Sequence, residues 1–383
     1  MRKLLAMLCL CVMLLSGCTD TAEVEELAFA EILGVDLIDG NQIEVCIEIP
    51  KIAGQRGESS SGSSGGSSNL IYSASGESFD EALNLLQWAV PRRLDLSQIK
   101  LIAVSEALVQ RERFHRVAGT IMATPRLYTA ARLAVCKGSA KEFVTAEAPI
   151  IGTRLASELT ATFEDYIRNG YIPDVTFADM FYKSKSVYSD SLAIYAETAP
   201  KSEPAPSESG EAKPAVAIIP DSPQGPSVEM QHSNRFLGAA VFRKGVMIGK
   251  LTGEEFLYCK MLRGESQTFP FAVDGQTVGL ATMGTPEIVI DLKSDPIRIN
   301  IRLKFSIVSS SKSAPIDKLQ SELKEEFMNV IEICKLMKAE PFDFSGSAAG
   351  SFLTIEEWER FDWLQHFLSS DIHIDIAVHG ASK

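Results

Sequence analysis

Three stretches of the chain alternate apolar and polar residues with a period of two, a pattern that predicts β-strands. In residues 42–49, Cys46 and Glu48 fall on the polar side of the alternation, so we expect a half-buried strand. Residues 297–307 predict a long antiparallel strand with one face in water, and residues 371–379 predict a closing strand with its apolar residues on one side. Weaker strand patterns occur at residues 69–73, 100–104 and 129–135.

Apolar residues spaced by three and four positions predict helices between these strands. The longest such pattern runs through residues 316–337, about six turns, and follows Pro315, a residue suited to a helix start. Ser78-Phe-Asp-Glu81 and Thr354-Ile-Glu-Glu357 have the form of capping boxes and predict shorter helices, the second of which reaches Leu364. The order of elements predicts a multi-domain α+β fold, with mainly antiparallel sheets and helices packed on one face.

Two segments of biased composition divide the chain. Residues 54–69 are almost only Ser and Gly and predict a flexible loop, either between domains or between two strands of one domain. Residues 198–235 hold seven of the 17 prolines and predict a linker or a long exposed insertion. We therefore expect one or more α+β domains at 18–197 and a C-terminal α+β region at 236–383, the latter made of a central segment at about 236–285 and a C-terminal domain at about 286–383.

The first residues predict a leader peptide at residues 1–17. Arg2 and Lys3 precede an uncharged apolar run, Leu4 to Leu15. A helix of that length rises about 18 Å, which is short of the ~30 Å hydrocarbon core, so the run is typical of a signal peptide and too short for a transmembrane span.

Leu15, Ser16, Gly17 and Cys18 follow one another in the order that resembles the bacterial lipobox. In lipoproteins of that kind, the cysteine thiol receives a diacylglyceryl group and the peptide is cut just before it. We therefore predict a lipid attached at Cys18 and an anchored protein. The alternative is an ordinary secretory signal in which Cys18 is incidental.

The charge balance restricts the partners that the chain can have. A formal net charge of −13 argues against nucleic acid as the main partner, since phosphate binding needs clustered Lys and Arg. An acidic body is also repelled by anionic headgroups, so we expect the acyl chains rather than a polybasic patch to supply adhesion. Four cysteines of the mature chain, spaced too widely for a zinc site, are expected to be buried free thiols rather than disulfides: Cys46, Cys136, Cys259 and Cys334.

The sequence has no motif that carries catalysis. HExxH, GxSxG, the P-loop and GxGxxG are absent, and Ser309-Ser-Ser-Lys312, which matches SxxK, lacks any later KTG. His373 and His379 flank Asp375 on one strand face but lie some 20 Å apart at about 3.3 Å per residue, so a solvated face is expected there rather than a metal site. Hence no catalytic, metal or cofactor site is predicted.

Two further sets of residues have a structural and a functional interpretation. Arg126 and Arg132 could bind an anion, but pairing with nearby acids is the expected state. Trp358 and Trp363 are expected to pack in the core.

Motifs spread along the chain resemble the Ger(x)C family of spore-germination lipoproteins, the C subunits of nutrient germinant receptors. The start of the mature chain carries the first part of the resemblance, at Cys18, Asp20, Glu23, Val24, Leu27, Ala28, Gly34, Val35 and Asp36. Later parts are Gly76 to Leu83, Pro91 to Leu94, Lys100 to Val104, Arg126, Arg132, Gly138 to Glu142, Gly238 to Arg243, Gly249 to Leu251, Glu254, Glu255, Trp358, Trp363, Phe367 and the strand ending at Gly380.

The resemblance implies three α+β domains held at the outer face of the spore inner membrane. It implies assembly with a polytopic A subunit and a transporter-like B subunit, and no enzymatic activity. Our preferred hypothesis is a tethered, non-catalytic receptor subunit. The alternatives are a solute-binding lipoprotein of an importer, which would need two similar α/β lobes, and a cell-wall hydrolase, which would need a carboxylate pair or a zinc triad.

Overall fold

The computed structural model describes residues 23–50, 69–146, 155–186, 188–198, 216–217, 228–229, 234–310 and 315–380. Its strands are β1 (Leu27–Phe29), β2 (Ile32–Ile38), β3 (Gln42–Pro50), β4 (Asn69–Gly76), β5 (Arg93–Asp95), β6 (Leu101–Ser105), β7 (Arg132–Lys137), β8 (Ser191–Thr198), β9 (Val216–Ala217), β10 (Val228–Glu229), β11 (Asn234–Arg243), β12 (Val246–Thr252), β13 (Thr268–Val273), β14 (Gln276–Thr282), β15 (Glu287–Asp291), β16 (Arg298–Ser310) and β17 (Asp371–His379). Its helices are α1 (Phe79–Ala89), α2 (Glu106–Val109), α3 (Arg113–Ala123), α4 (Ala140–Thr145), α5 (Leu155–Arg168), α6 (Phe177–Ser184), α7 (Gly253–Leu262), α8 (Ile316–Leu336), α9 (Phe344–Ala349), α10 (Ile355–Phe361) and α11 (Trp363–Ser369).

The larger sheet has eight strands in the order β12-β11-β8-β7-β6-β2-β3-β4. Its inner strands β2, β6, β7 and β8 run parallel, and antiparallel strands extend it at both edges. Since β11 and β12 follow the Pro-rich segment in the chain and pair with β8, the sheet takes strands from both sides of that segment.

Helices cover this sheet on both faces, which differs from the expectation of helices on one face. One face packs against α1, α3 and α6, and the other against α4 and α5. The expectation that β3 is half-buried is wrong for the same reason: Cys46 is 1% exposed and Glu48 is 0% exposed, because β3 is flanked by β2 and β4 and lies beneath helices. An alternating pattern cannot show that its polar side is also covered.

The smaller sheet has five strands, ordered β13-β14-β16-β15 with β17 also paired to β16. Its strands bury every second residue, and α8 packs on the buried face, so here the one-sided arrangement is confirmed. The predicted long strand is β16, which is antiparallel to β14 and β15 but parallel to β17. Parallel pairing is possible because α8 to α11 lie between β16 and β17 and return the chain to the same end of the sheet.

The predicted helices are found with small differences. The long helix is α8, and Ser78 Oγ accepts a hydrogen bond from Glu81 N at the start of α1. The helix expected to run from Thr354 through Leu364 is instead two helices, since Asp362 adopts a left-handed conformation with a φ of 48° and separates them. The strand pattern at 129–135 becomes β7, which starts at Arg132.

One helix joins the two sheets. In α7 every residue from Phe256 to Leu262 is buried, and its core is shared between the β8, β11 and β12 end of the larger sheet and the buried face of the smaller sheet. Lys260 Nζ donates to the Ile167 carbonyl at 2.8 Å, which ties α7 to the end of α5. A helix segment that is buried around its whole circumference is expected where it lies between two sheets, as Phe256 to Leu262 do.

Candidate functional site

The predicted lipid site lies outside the described residues. Cys18 with Leu15, Ser16 and Gly17, the loop at 54–68 and most of the Pro-rich segment all belong to the part of the chain that is not described. The described chain starts at Glu23, which is exposed, and enters β1 four residues later. Within the described residues, no helix combines the length and the apolar content that crossing a bilayer requires.

The two arginines considered for anion binding are paired with acids, as expected. Arg126 Nη2 lies 2.8 Å from the carboxylate of Asp95, and Arg132 pairs with Asp174. Asp95 is buried and also accepts hydrogen bonds from Ser97. The guanidinium groups therefore balance local carboxylates rather than an external anion.

The histidines of β17 lie on an exposed strand face, as expected. His373 Nδ1 is 3.3 Å from the neighbouring Asp371 carboxylate, and Asp375 accepts from Arg302 Nε at 3.1 Å. Over the described residues, no group of three or more His, Cys, Asp or Glu side chains is placed to share a metal ion.

The four remaining cysteines are buried free thiols, which confirms the prediction. Burial raises the pKa of the Cys259 thiol to about 12, and that of Cys136 well above its ordinary value. A thiol that stays protonated at neutral pH is a poor nucleophile. These cysteines are therefore packing residues.

Residues that carry the family resemblance meet in space although they are far apart in the chain. Asp36 on β2 is buried and accepts hydrogen bonds from the amides of Ala140, at 2.7 Å, and Lys141, at 2.8 Å. Its carboxylate also accepts from Ser139 Oγ at 3.0 Å. The Gly34-Val-Asp36 and Gly138-Ser-Ala-Lys-Glu142 motifs thus form one structural unit, in which a strand carboxylate caps the start of α4.

Two glycines of the resemblance are required by close contacts. A Cβ on Gly34 would collide with Cys46 Sγ on the adjacent strand. Gly238 has a φ of 143°, lies at a bulge in the pairing of β11 with β8, and leaves no room for a Cβ beside the Leu251 carbonyl. Both motif positions are therefore explained by close packing. At these two glycines, the resemblance to the family reflects the fold.

A polar cluster joins the larger sheet to the C-terminal helices. Arg243 at the end of β11 donates to both carboxylate oxygens of Asp190, at 2.9 and 2.5 Å, and the amide of Glu340 donates to Asp190 at 2.7 Å. We call Asp190, Arg243 and Glu340 the junction cluster.

The Glu340 carboxylate is itself enclosed by donors. It accepts hydrogen bonds from the amides of Phe342, Phe344 and Ser345 at 3.0 to 3.2 Å, and from Trp363 Nε1 at 3.4 Å. Burial raises its pKa to about 7, while the N–H donors favour the anion. Neither Asp190 nor Glu340 is anticipated by the sequence patterns, because each is a single acid outside any periodic segment.

An open cleft of about 370 Å³ lies beside the junction cluster. Trp358 and Trp363 stack there at 5.9 Å, and both are largely buried, as predicted. The carboxylates of Asp190 and Glu340 are already occupied by donors from the protein, so neither is free to act as the base of an acid–base pair. The arrangement holds two parts of the molecule together.

The smaller sheet presents a charged, exposed face on the side opposite α8. Arg302 lies between Glu287, at 3.4 Å, and Asp375, and Lys304 contacts Glu287 at 2.7 Å. Val289 in β15 is exposed on the same face. The two sheets also differ in strand number and order, so the described residues do not form the two similar lobes expected of a solute-binding protein.

Comparisons with known proteins agree on one family. The model of the spore germination protein N-terminal domain matches residues 20–198, and that of the spore germination B3/GerAC-like C-terminal domain matches residues 237–380. YfkR of Bacillus subtilis (strain 168), described as a spore germination protein, is 20% identical over 385 residues, which cover 94% of this chain and 91% of that protein. The crystal structure of the GerBC protein aligns with a TM-score of 0.51 at 13% identity, over 94% of this chain and 100% of that chain.

The matches and the structure support one another. The GerBC likeness shows a shared fold, of mixed helices and mainly antiparallel strands. The two family matches occur in order and leave between them residues 199–236, which are almost the whole Pro-rich segment. The chain therefore belongs to the GerAC-like family of spore germination proteins.

Proposed function

We propose that this protein is a membrane-anchored, non-catalytic lipoprotein subunit of a spore germinant receptor. It assembles with the membrane-spanning A and B subunits and is needed for nutrient-triggered germination. The observation that carries the proposal is the position of the family match, which starts at residue 20, two residues after Cys18. The region that matches the family thus begins directly after the residue that would hold the lipid.

Anchoring is supported by the leader and the lipobox. A lipid-modified cysteine holds the body at the outer face of the cytoplasmic membrane, the inner membrane of the spore. Each buried methylene contributes about 0.8 kcal/mol, and one acyl chain alone binds only marginally, so a diacylglyceryl group is sufficient where a single chain is not.

A role in assembly without catalysis is supported by the state of the polar groups. The buried carboxylates of Asp36, Asp190 and Glu340 each accept hydrogen bonds from backbone amides. Such groups hold elements together and are not free to accept a proton from a substrate. The charged open face of the smaller sheet is a surface suited to protein contacts.

The anchoring is tested by replacing the cysteine. We expect Cys18→Ala protein to leave the membrane fraction and to lack the mass of a diacylglyceryl group, while Cys11→Ala, a cysteine within the leader, changes neither. Membrane fractionation and mass spectrometry of the N-terminal peptide measure this. A native protein with an unmodified N-terminal peptide would refute the anchoring.

The receptor role is tested in spores. Deleting the gene is expected to abolish the response to one nutrient class and to leave spore formation intact, and a tagged chain is expected to co-purify with two membrane-spanning proteins. Normal nutrient germination of the deletion strain would count against the proposal. Loss of uptake of a solute instead would favour the importer alternative.

A further inference from the structure

The most exposed tryptophan of the protein lies at the end of α1. Trp88 is 83% exposed, whereas Trp358 and Trp363 are 3% and 7% exposed. Leu85, one turn earlier, is also exposed. Exposed tryptophan next to an exposed leucine is costly in water but typical of surfaces at a membrane interface, where the ring is half in an apolar medium.

Strand pairing brings the segment that follows this tryptophan to the start of the described chain. Short strands β1 and β5 pair in parallel, with Leu27 opposite Arg93. Parallel strands begin at the same end, so the segment entering β1 from Glu23 and the segment entering β5 from α1 come from one side of the molecule. The Gln87 side chain fixes the second segment by hydrogen bonds to the Arg92 carbonyl, at 3.2 Å, and the Leu94 amide, at 2.9 Å.

The charges around Trp88 suit phospholipid headgroups without favouring anionic ones. Arg92 and Arg93 make no ion pair with any described residue, and guanidinium groups bind phosphate oxygens well. Glu23, Glu25 and Glu26 are exposed at the same end and outnumber the two arginines. An attraction that depends on negative lipid charge is therefore not expected.

The length of the preceding chain brings this end of the molecule to the bilayer. Glu23 is five positions after Cys18, and a fully extended chain of five steps spans about 17 Å. With a lipid on Cys18, the α1 end is the part of the described body that is held next to the headgroups.

From these observations we propose that Trp88 and Leu85, flanked by Arg92 and Arg93, form a surface that rests on the phospholipid bilayer. We call these four residues the bilayer-facing patch. The inference rests on the proposed lipid anchor, and it adds an orientation: the α1 edge of the larger sheet faces the membrane. The acyl chains still supply most of the adhesion, and the patch prevents the body from rotating freely about its tether.

Fluorescence can test this contact, because only one of the three tryptophans is exposed. Lipidated full-length protein is reconstituted into phosphatidylcholine vesicles that carry bromine on their acyl chains. We expect the bromolipid to quench roughly a third of the emission, since Trp88 alone reaches the acyl region. The quenching should persist at high salt and need no anionic lipid.

A matched pair of variants provides the control. Trp88→Phe should abolish the quenching and leave the fold intact, because the side chain is exposed. Adding Leu353→Trp to that variant places a tryptophan just before α10, at a position where the native leucine is 93% exposed and where the nearby Trp358 lies close to β8 and β11. That site lies near the opposite edge of the larger sheet from β4, at least five strand spacings or about 24 Å away, so bromolipid should not quench it.

Each other outcome overturns the inference and identifies what failed. Protein that is retained on vesicles, with its lipid confirmed by mass spectrometry, but whose Trp88 is not quenched refutes the patch and leaves the anchor intact. Quenching that is lost in salt refutes the apolar contact. If Trp88→Ala instead loses co-purification with a membrane-spanning subunit, the surface binds protein and not lipid. Protein without a lipid on Cys18 refutes the anchor and the inference together.

Discussion

At the scale of single residues, the larger sheet contains a carboxyl group in an unfavourable place. Glu48 in β3 is 0% exposed and lies opposite Ile32 of β2. The residue before Ile32 is Glu31, a second buried acid. Burial, with a smaller contribution from the Glu31 carboxylate, raises the pKa of Glu48 to about 7, although a hydrogen bond with Asn69 opposes the rise. The folded protein therefore retains a proton that the unfolded chain releases near the ordinary value of 4.5.

This residue predicts a pH dependence of stability. A carboxyl group whose pKa is raised by folding costs stability as pH rises from about 4.5 to 7, by up to about 3 kcal/mol. Glu48→Gln should match the wild type near pH 4.5 and exceed it in free energy of unfolding above pH 7, as measured by urea denaturation. Glu77→Gln, at an exposed glutamate, should show no such difference. Equal stability of Glu48→Gln and wild type at pH 8 would contradict the argument.

At the scale of elements, α4 depends on a cap supplied by another element. The helix has only six residues, too few to be stable alone, and Asp36 from β2 receives two of its first amides. The carboxylate also favours the positive end of the helix dipole. Capping from a distant strand positions α4 against the sheet.

Replacing this cap should loosen α4. In Asp36→Asn, the side-chain NH₂ group takes the place of one carboxylate oxygen and must face a backbone N–H, which is also a donor. We expect the free energy of unfolding to fall by about 1–3 kcal/mol. Asp39→Asn, three residues later in an exposed turn with a φ of 42°, should be nearly neutral, since Asn tolerates that conformation. Denaturant unfolding and faster amide exchange at residues 140–145 measure the effect. Unchanged exchange there would show that α4 does not need the cap.

At the scale of the whole molecule, the junction cluster and α7 connect the two sheets. Asp190 precedes β8 of the larger sheet, and Glu340 lies between α8 and α9 of the C-terminal part. Arg243 is partly shielded and Asp190 is buried, so their bidentate pair has a stronger effect than a surface pair.

Breaking the junction should uncouple the two parts. Arg243→Ala leaves the buried Asp190 carboxylate with the Glu340 amide as its remaining donor among the contacts described, and we expect a loss of about 2–4 kcal/mol. Limited proteolysis should then cleave between the parts, and unfolding should become less cooperative. Arg302→Ala, which removes exposed pairs from the open sheet face, should change stability little. A single cooperative transition with unchanged midpoint in Arg243→Ala would contradict this role.

The sequence by itself determined the elements that bury one side. The strands β16 and β17 and the helix α8 are found where the pattern predicts them. An element with one buried and one exposed face has apolar residues at a regular spacing in its own sequence, so its burial can be predicted from that spacing. The predicted leader and lipid site rest on short runs of adjacent residues, and the family resemblance rests on short motifs that follow one another in a fixed order along the chain.

Only the tertiary structure decided which segments are surrounded and which distant groups meet. The helix α7 shows no amphipathic period because its residues from Phe256 to Leu262 are buried on all sides, although Thr252 and Glu255 form a capping box that could have marked its start. The pairing of Asp36 with α4, and of Asp190 with Arg243, joins residues far apart in the chain. Trp88 lies off the apolar side of its helix, and only the parallel pairing of β1 with β5 brings the segment that follows it to the start of the described chain. Such contacts depend on the path of the whole chain, which no local pattern contains.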